Sequence, residues 1–178
     1  FAGHFTQFNK DLLGVFRVGL VIPQQSLRKT IQDVFGKTPG LEKAMVLSPF
    51  DVGKSHETWD LLVVDEAHRL GIRANQSSAI RNKQFAEINE QLYGQDGARS
   101  TQLDWIRHQS RYRILLIDSA QSIKPADLPK ETVEKLASDA RASSQLFSLS
   151  SQMRVTGGED YIEFVQKCMG DENPAKSL

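Results

Sequence analysis

Short apolar runs alternate along the chain with longer segments whose apolar residues recur every three or four positions. An unbroken run of four to six apolar residues is typical of a strand that is buried on both faces of a parallel sheet. The pattern predicts five strands, at Arg17–Ile22, Ala44–Leu47, Leu61–Val64, Arg113–Ile117 and Gln145–Leu149. Helical spacing in the segments between them predicts an α/β fold with a doubly wound parallel sheet and helices on both of its faces.

Several of the predicted helices carry recognisable start signals. Thr101 and Asp104 have the spacing of a capping box, Pro129 suits the first position of a helix, and Thr156 with Glu159 offers a second capping box. Apolar stripes at helical spacing predict further helices at Gln24–Phe35 and at Ser78–Leu92. We find no second domain boundary, and residues 1–16 show only a weak helical pattern around residues 7–13. The sequence therefore predicts a single domain over residues 1–178.

The third predicted strand ends in two carboxylates, Asp65 and Glu66, followed by Ala67, His68 and Arg69. In an open α/β sheet, ligands bind outside the carboxyl ends of the strands, so this pair points to a site. An apolar strand followed by Asp-Glu is typical of a Walker B segment, in which the Asp holds Mg²⁺ and the Glu orients or deprotonates water. The alternative is that the acids only cap a helix.

Composition narrows these possibilities only in part. The chain has 178 residues, of which 39% are hydrophobic, and it carries 22 basic and 22 acidic residues. Zero net charge gives no electrostatic argument for nucleic-acid binding, although a local basic groove remains compatible with it. The single cysteine, Cys168, fits a reducing cytoplasm, and no apolar stretch is long enough for a membrane helix. The chain starts at Phe1 and not at Met, which suggests a fragment of a longer protein.

Gly53-Lys54-Ser55 has the ending of a phosphate-binding loop, but Ser48 stands where the first glycine of that motif belongs. The next predicted strand follows within a few residues, which leaves no room for the helix that such a loop opens. We interpret this tripeptide as unrelated to phosphate binding. The chain then contains no Walker A loop, and we expect the P-loop strand and helix to precede it in a longer protein.

Two further polar segments follow predicted strands. Asp118 and Gln121 come after the fourth strand, and a Gln at this edge can sense a γ-phosphate or hold the attacking water. Arg154 follows the fifth strand, and its planar guanidinium matches the oxygens of a phosphoryl group. The alternatives are a polar capping turn and a surface arginine.

Gln24, Gln25 and Ser26 open a helix at the carboxyl end of the first strand. Helix amino termini bind anions, and these side chains could contact a nucleic-acid backbone. Simple helix capping is the alternative.

Together, these segments resemble a bacterial helicase-like P-loop family, related to superfamily 1 helicases and to the Schlafen group-3 ATPase region. Asp65 to Arg69 resembles motif II of the DEAH-type helicases, and the resemblance extends from Arg17 to about Met169. It implies a RecA-like lobe that binds ATP and Mg²⁺, in which Asp65 lies beside the metal and Glu66 acts as the base for water.

The same resemblance implies that Gln121 and Arg154 contact the γ-phosphate and that Gln24, Gln25 and Ser26 contact DNA or RNA. A truncated ATPase lobe of a helicase or translocase is therefore the function that the sequence favours. A non-catalytic RecA-like module that binds nucleic acid or protein is the alternative, because the Walker A loop is missing.

Overall fold

The computed structural model describes residues 16–73, 78–97, 100–118 and 125–149. Within these ranges lie four strands and five α-helices. The strands are β1 (Val18–Val21), β2 (Val46–Leu47), β3 (Trp59–Val64) and β4 (Ser110–Leu115). The helices are α1 (Gln25–Phe35), α2 (Pro49–Gly53), α3 (Ala79–Tyr93), α4 (Gln102–His108) and α5 (Lys130–Ala142).

The four strands form one parallel sheet in the order β2, β1, β3, β4. Strand β1 enters at the centre of the sheet and β2 lies at one edge, while β3 and β4 extend the sheet on the other side. A parallel sheet flanked by helices confirms the predicted α/β fold and is consistent with a RecA-like lobe. The carboxyl ends of β1, β3 and β4 share one edge of this sheet, where such folds bind their ligands.

The main core lies on one face of the sheet. Val21, Leu62 and Val64 are completely buried there. They pack in one cluster with Leu103 and Ile106 of α4. Burying side chains of this size stabilises the fold by about 1.5–3 kcal/mol each, so this face anchors the strands that lead to the carboxyl edge.

A second cluster of buried side chains packs α3 against α4, the two longer helices between β3 and β4 in the chain. Phe85 and Trp105 are completely buried, with ring centroids 4.1 Å apart. The indole Nε1 of Trp105 donates to Asn89 Oδ1 at 2.8 Å, and Asn89 Nδ2 donates to Asp96 Oδ1 at 2.9 Å. Arg73 donates from Nε and Nη2 to the same carboxylate, at 3.1 and 2.9 Å. This network joins the segment after β3 to both α3 and α4.

Local signals in the sequence marked several helix starts correctly. The capping box of Thr101 and Asp104 is present at the start of α4, and Ser78 caps α3. Helix α2 was not predicted from the sequence, although it begins with a capping box formed by Ser48 and Asp51.

The tripeptide Gly53-Lys54-Ser55 lies where α2 ends. Gly53 is the last residue of α2, and Lys54 caps its carboxyl end. A Cβ atom on Gly53 would lie 2.7 Å from Ile88 and 3.0 Å from Trp105, so glycine serves helix packing here. The prediction that this tripeptide is not a phosphate-binding loop is confirmed.

The chain divides into two compact units, residues 1–136 and residues 137–178. In the second unit, Gln145–Leu149 does not form a strand, so the prediction of a strand there is wrong. Its amide at Gln145 bonds locally to the carbonyl of Ala140, and Phe147 is 83% exposed. A strand is stable only when it pairs with another, and this segment pairs with none of the described strands. The predicted helix after Thr156 lies outside the described residues.

Candidate functional site

The acidic pair follows β3 directly at the carboxyl edge of the sheet. The amide of Asp65 still donates to the carbonyl of Val21 on β1, at 2.9 Å, so the carboxylate is held at the end of a buried ladder. The amide of Ala67 donates to the carbonyl of Leu116, at 2.8 Å. Neighbouring strands therefore fix the backbone on both sides of Glu66.

Glu66 itself adopts a left-handed backbone conformation, with φ 48° and ψ 47°. For a residue that has a Cβ atom, this conformation costs roughly 1–2 kcal/mol. Such strain persists only where the surrounding structure imposes it, and it is concentrated at functional sites. The side chain makes no capping hydrogen bond to the short 3-10 turn Ala67–Arg69 that follows. Glu66 therefore occupies the cap position of this turn without a capping hydrogen bond from its side chain.

The Glu66 carboxylate lies between two basic side chains. Arg69 donates from Nε to Glu66 Oε2 at 2.9 Å. The imidazole Nε2 of His68 lies 3.2 Å from the same oxygen, but in an orientation that does not make a hydrogen bond. His68 is 1% exposed, so its ring is part of the interior beneath the acidic pair.

The other nitrogen of His68 reaches the end of β4. The backbone N–H of Asp118 donates to His68 Nδ1 at 3.3 Å. Because Nδ1 accepts this bond, a neutral ring carries its proton on Nε2, on the side of Glu66. His68 thus joins the carboxyl ends of β3 and β4. From the sequence, His68 was placed only within the acidic motif, because no local pattern identifies a hydrogen-bonding partner fifty residues away.

The structure also places Gln24, Gln25 and Ser26 at the carboxyl end of β1, next to β3 in the sheet. All three side chains are exposed. Gln24 occupies the capping position of α1 without a capping hydrogen bond from its side chain, so simple capping by Gln24 is excluded. Gln24 Nε2 instead donates to Ser26 Oγ, at 3.3 Å.

Two of the predicted site residues, Gln121 and Arg154, lie outside the described residues. Asp65, Glu66, Asp118 and the Gln24–Ser26 segment do share one edge of the sheet. A group of three or more carboxylate, histidine or cysteine side chains that could hold a metal does not occur in the described part of the chain. One carboxylate is enough for Mg²⁺ only when water and substrate phosphate complete its coordination.

A concave surface among the described residues lies away from this edge. A cleft of about 590 Å³ is lined by residues at the end of α3 and along α4, including Tyr93, Asp104, Arg107 and His108. Burial raises the pKa of Tyr93, and the charge of Asp104 adds to the effect. None of the predicted site residues lines this cleft.

Comparison with known proteins identifies the family. No curated protein and no solved structure matches the chain. No helix in the described ranges is both long and apolar enough to cross a membrane. Residues 9–178 match the family described as Schlafen group 3, DNA/RNA helicase domain. This match covers nearly the whole sequence, and the chain belongs to the Schlafen group 3 DNA/RNA helicase domain family.

Proposed function

We propose that this chain supplies the acidic half of an ATP-hydrolysing site in a DNA/RNA helicase or translocase. The observation that carries the proposal is Glu66, held in a strained backbone conformation directly after a buried parallel strand. Its side chain does not cap the following turn, which leaves a chemical role as the best explanation of the strain. Membership in a helicase-domain family supports the same assignment.

In the proposed reaction, water attacks the γ-phosphorus of ATP and the bond to the β–γ bridging oxygen breaks, which yields ADP and inorganic phosphate. Glu66 orients the water and takes its proton. Asp65 would hold Mg²⁺, which neutralises negative charge on the phosphate oxygens when it is bound. Arg69, through its bond to Oε2, holds the Glu66 carboxylate in place.

Gln121 and Arg154 complete the proposal from the sequence. Gln121 would couple the γ-phosphate to bound nucleic acid, and Arg154 would stabilise charge that develops on the transferring group. The exposed side chains of Gln24, Gln25 and Ser26 would contact the phosphates and sugars of the nucleic acid. The lone Cys168 is compatible with a cytoplasmic protein.

The test is nucleic-acid-stimulated ATP hydrolysis by the natural protein that carries this domain. We expect Glu66→Gln to lower turnover by roughly 10²-fold or more, the usual contribution of a general base, with nucleotide binding retained. Glu42→Gln, an exposed glutamate away from this edge, makes the same chemical change and should have no effect. Unchanged hydrolysis in Glu66→Gln would favour a module that binds without turnover.

Nucleic-acid contact has a separate test. The double substitution Gln25→Ala and Ser26→Ala should weaken binding of a fluorescent single-stranded oligonucleotide in an anisotropy titration. Thr30→Ala lies later on α1, where the Thr30 hydroxyl donates to the Ser26 carbonyl of the same helix, and is the matched control. Equal affinities for both variants would remove this segment from the interface.

A further inference from the structure

Arg28 of α1 bonds to three successive carbonyl groups in the turn between β1 and α1. Its side-chain Nη1 donates to the carbonyl of Ile22 at 2.8 Å and, at a longer 3.4 Å, to the carbonyl of Pro23. Its backbone N–H donates to the carbonyl of Gln24 at 3.0 Å. All three carbonyl oxygens therefore point towards one residue.

Two common supports of a strand-to-helix turn are absent from this described segment. Pro23 has no backbone N–H, and the Gln24 side chain makes no capping hydrogen bond to α1. The amide of Ile22 donates to the carbonyl of Leu47 on β2 at 2.9 Å, which fixes the start of the turn. Because Arg28 fixes its end, the conformation of the turn depends on a side chain one helical turn further along the chain.

These bonds change what the turn presents to a ligand. A phosphate group is negatively charged and accepts hydrogen bonds, so carbonyl oxygens repel it and donors attract it. The guanidinium of Arg28 draws the carbonyls of Ile22 and Pro23 towards itself, and its positive charge offsets their partial negative charge. The outward surface of the turn then includes the side-chain donors of Gln25 and Ser26, both of which are exposed.

Gln24 prepares the hydroxyl of Ser26 for the same role. The Nε2 atom of Gln24 donates to Ser26 Oγ at 3.3 Å, so the hydroxyl oxygen already accepts a hydrogen bond. A hydroxyl that accepts in this way keeps its own O–H group as a donor. Ser26 is therefore left as a donor on the exposed side of α1.

We propose that Arg28 is a positioning residue for nucleic-acid binding, which holds the β1–α1 turn in the shape that presents Gln25 and Ser26 to a phosphate of DNA or RNA. This inference rests on the nucleic-acid contact proposed above for Gln24, Gln25 and Ser26, and it adds a residue on which that contact depends. Arg28 acts through the turn and not on the phosphate itself, because its Nη1 atom is engaged with two carbonyls.

An anisotropy titration of a fluorescent single-stranded oligonucleotide with the natural protein that carries this domain tests the role of Arg28. Arg28→Gln removes the side-chain bonds to the turn and should weaken binding about tenfold or more, because the donors to a charged phosphate are no longer held in place. Lys29→Gln removes the same charge from the next position on α1, which is exposed, and should leave the affinity nearly unchanged. Equal affinities for the two variants would overturn the proposal.

Combined substitutions separate positioning from a purely structural effect. If Arg28 acts through the turn, adding Gln25→Ala and Ser26→Ala to Arg28→Gln should weaken binding no further than Arg28→Gln does alone. Losses that multiply would show that Arg28 acts independently of these side chains and would refute the inference.

A conservative variant tests the carbonyl bonds. Arg28→Lys keeps a charged donor and should recover most of the affinity that Arg28→Gln loses, and it takes the place of that variant if Arg28→Gln does not fold. A lysine variant that binds as weakly as the glutamine variant would contradict a role for the carbonyl bonds.

The salt dependence of binding shows whether Arg28 touches the phosphate. Each phosphate that a basic side chain neutralises adds about 0.7 to the slope of log Kd against log salt for a single strand. Positioning predicts the same slope for Arg28→Gln as for the unsubstituted protein. A slope that is smaller by about this amount would make Arg28 a direct phosphate contact and would overturn the proposal.

The same titrations separate this inference from the proposed function. If Gln25→Ala with Ser26→Ala leaves the affinity unchanged, the proposed nucleic-acid contact is wrong and the inference falls with it. If that variant binds weakly while Arg28→Gln binds as the unsubstituted protein does, the contact stands and positioning by Arg28 is overturned.

Discussion

The backbone N–H of Asp118 donates to the Nδ1 atom of His68, 3.3 Å away, across fifty residues of sequence. Asp118 follows β4, while His68 follows β3, so this bond joins the two strand ends that carry the candidate site. His68 Nε2 lies on the opposite side of the ring, 3.2 Å from a carboxylate oxygen of Glu66. One buried imidazole therefore links the turn after β3 to the start of the next polar segment.

His68→Ala should destabilise the protein by about 2–4 kcal/mol, because it creates a cavity and leaves the amide of Asp118 without its acceptor. His68→Asn should cost less, since its amide oxygen can take the place of Nδ1. Urea denaturation measures both variants. Equal losses would show that the ring contributes only by its volume and does not position the end of β4.

Glu66 permits a second prediction, because its left-handed backbone reverses the usual order of residue preferences. Glu66→Ala and Glu66→Gly remove the same carboxylate and the same bond to Arg69. Glycine adopts this backbone without strain, so Glu66→Gly should be more stable than Glu66→Ala by roughly 1 kcal/mol. In an ordinary helix the order would be the opposite. Urea unfolding of the pair checks the sign, and a more stable alanine variant would contradict the assigned strain.

Part of this arrangement could be predicted from the sequence because its signals are local. The apolar run Leu61–Val64 and the two acids after it are contiguous. In the structure this strand begins two residues earlier, at Trp59. The fourth strand was predicted at Arg113–Ile117 but lies at Ser110–Leu115. It pairs with β3 alone among the described strands, and its exposed positions include the charged residues Arg111 and Arg113. Apolar runs locate strands buried on both faces better than strands at an edge.

Other features depend on contacts that no local pattern records. The role of His68 depends on Asp118, and the role of Asn89 depends on Trp105, sixteen residues further on. Helix α2 did have a local signal, because Ser48 and Asp51 form a capping box around Pro49. From the sequence, Gly53-Lys54-Ser55 beside it was interpreted as unrelated to phosphate binding, but not as the end of a helix.

The 178-residue chain should bind ATP·Mg²⁺ weakly. Most phosphate contacts in a P-loop protein come from the backbone of the Walker A loop, and no segment of this sequence has that pattern. We expect isothermal titration calorimetry to give a Kd above about 1 mM, equivalent to less than about 4 kcal/mol of binding free energy. A micromolar Kd would mean that other residues hold the phosphates.

The Asp96 carboxylate leads to a prediction of how the free energy of unfolding depends on pH. Its carboxylate accepts hydrogen bonds from Arg73 and, secondly, from Asn89, and these bonds hold its pKa below the usual value of 3.8. As the pH falls below that value, the unfolded chain takes up a proton before the folded protein does, so the free energy of unfolding decreases. Below the folded-state pKa this contribution is lost.

Asp96→Asn should therefore lower stability near pH 7 by about 1–3 kcal/mol, the usual contribution of hydrogen bonds to a charged group. The difference from the unsubstituted protein should shrink as the pH falls from 4 towards 2.5, which urea titrations at several pH values would measure. Asp139→Asn removes the same charge from an exposed position on α5 and serves as the control. If the stability difference between Asp96→Asn and the unsubstituted protein stayed constant over this pH range, the loss of stability would come from changed packing and not from the missing carboxylate charge. The network from Arg73 to Trp105 would then depend on shape and not on charge.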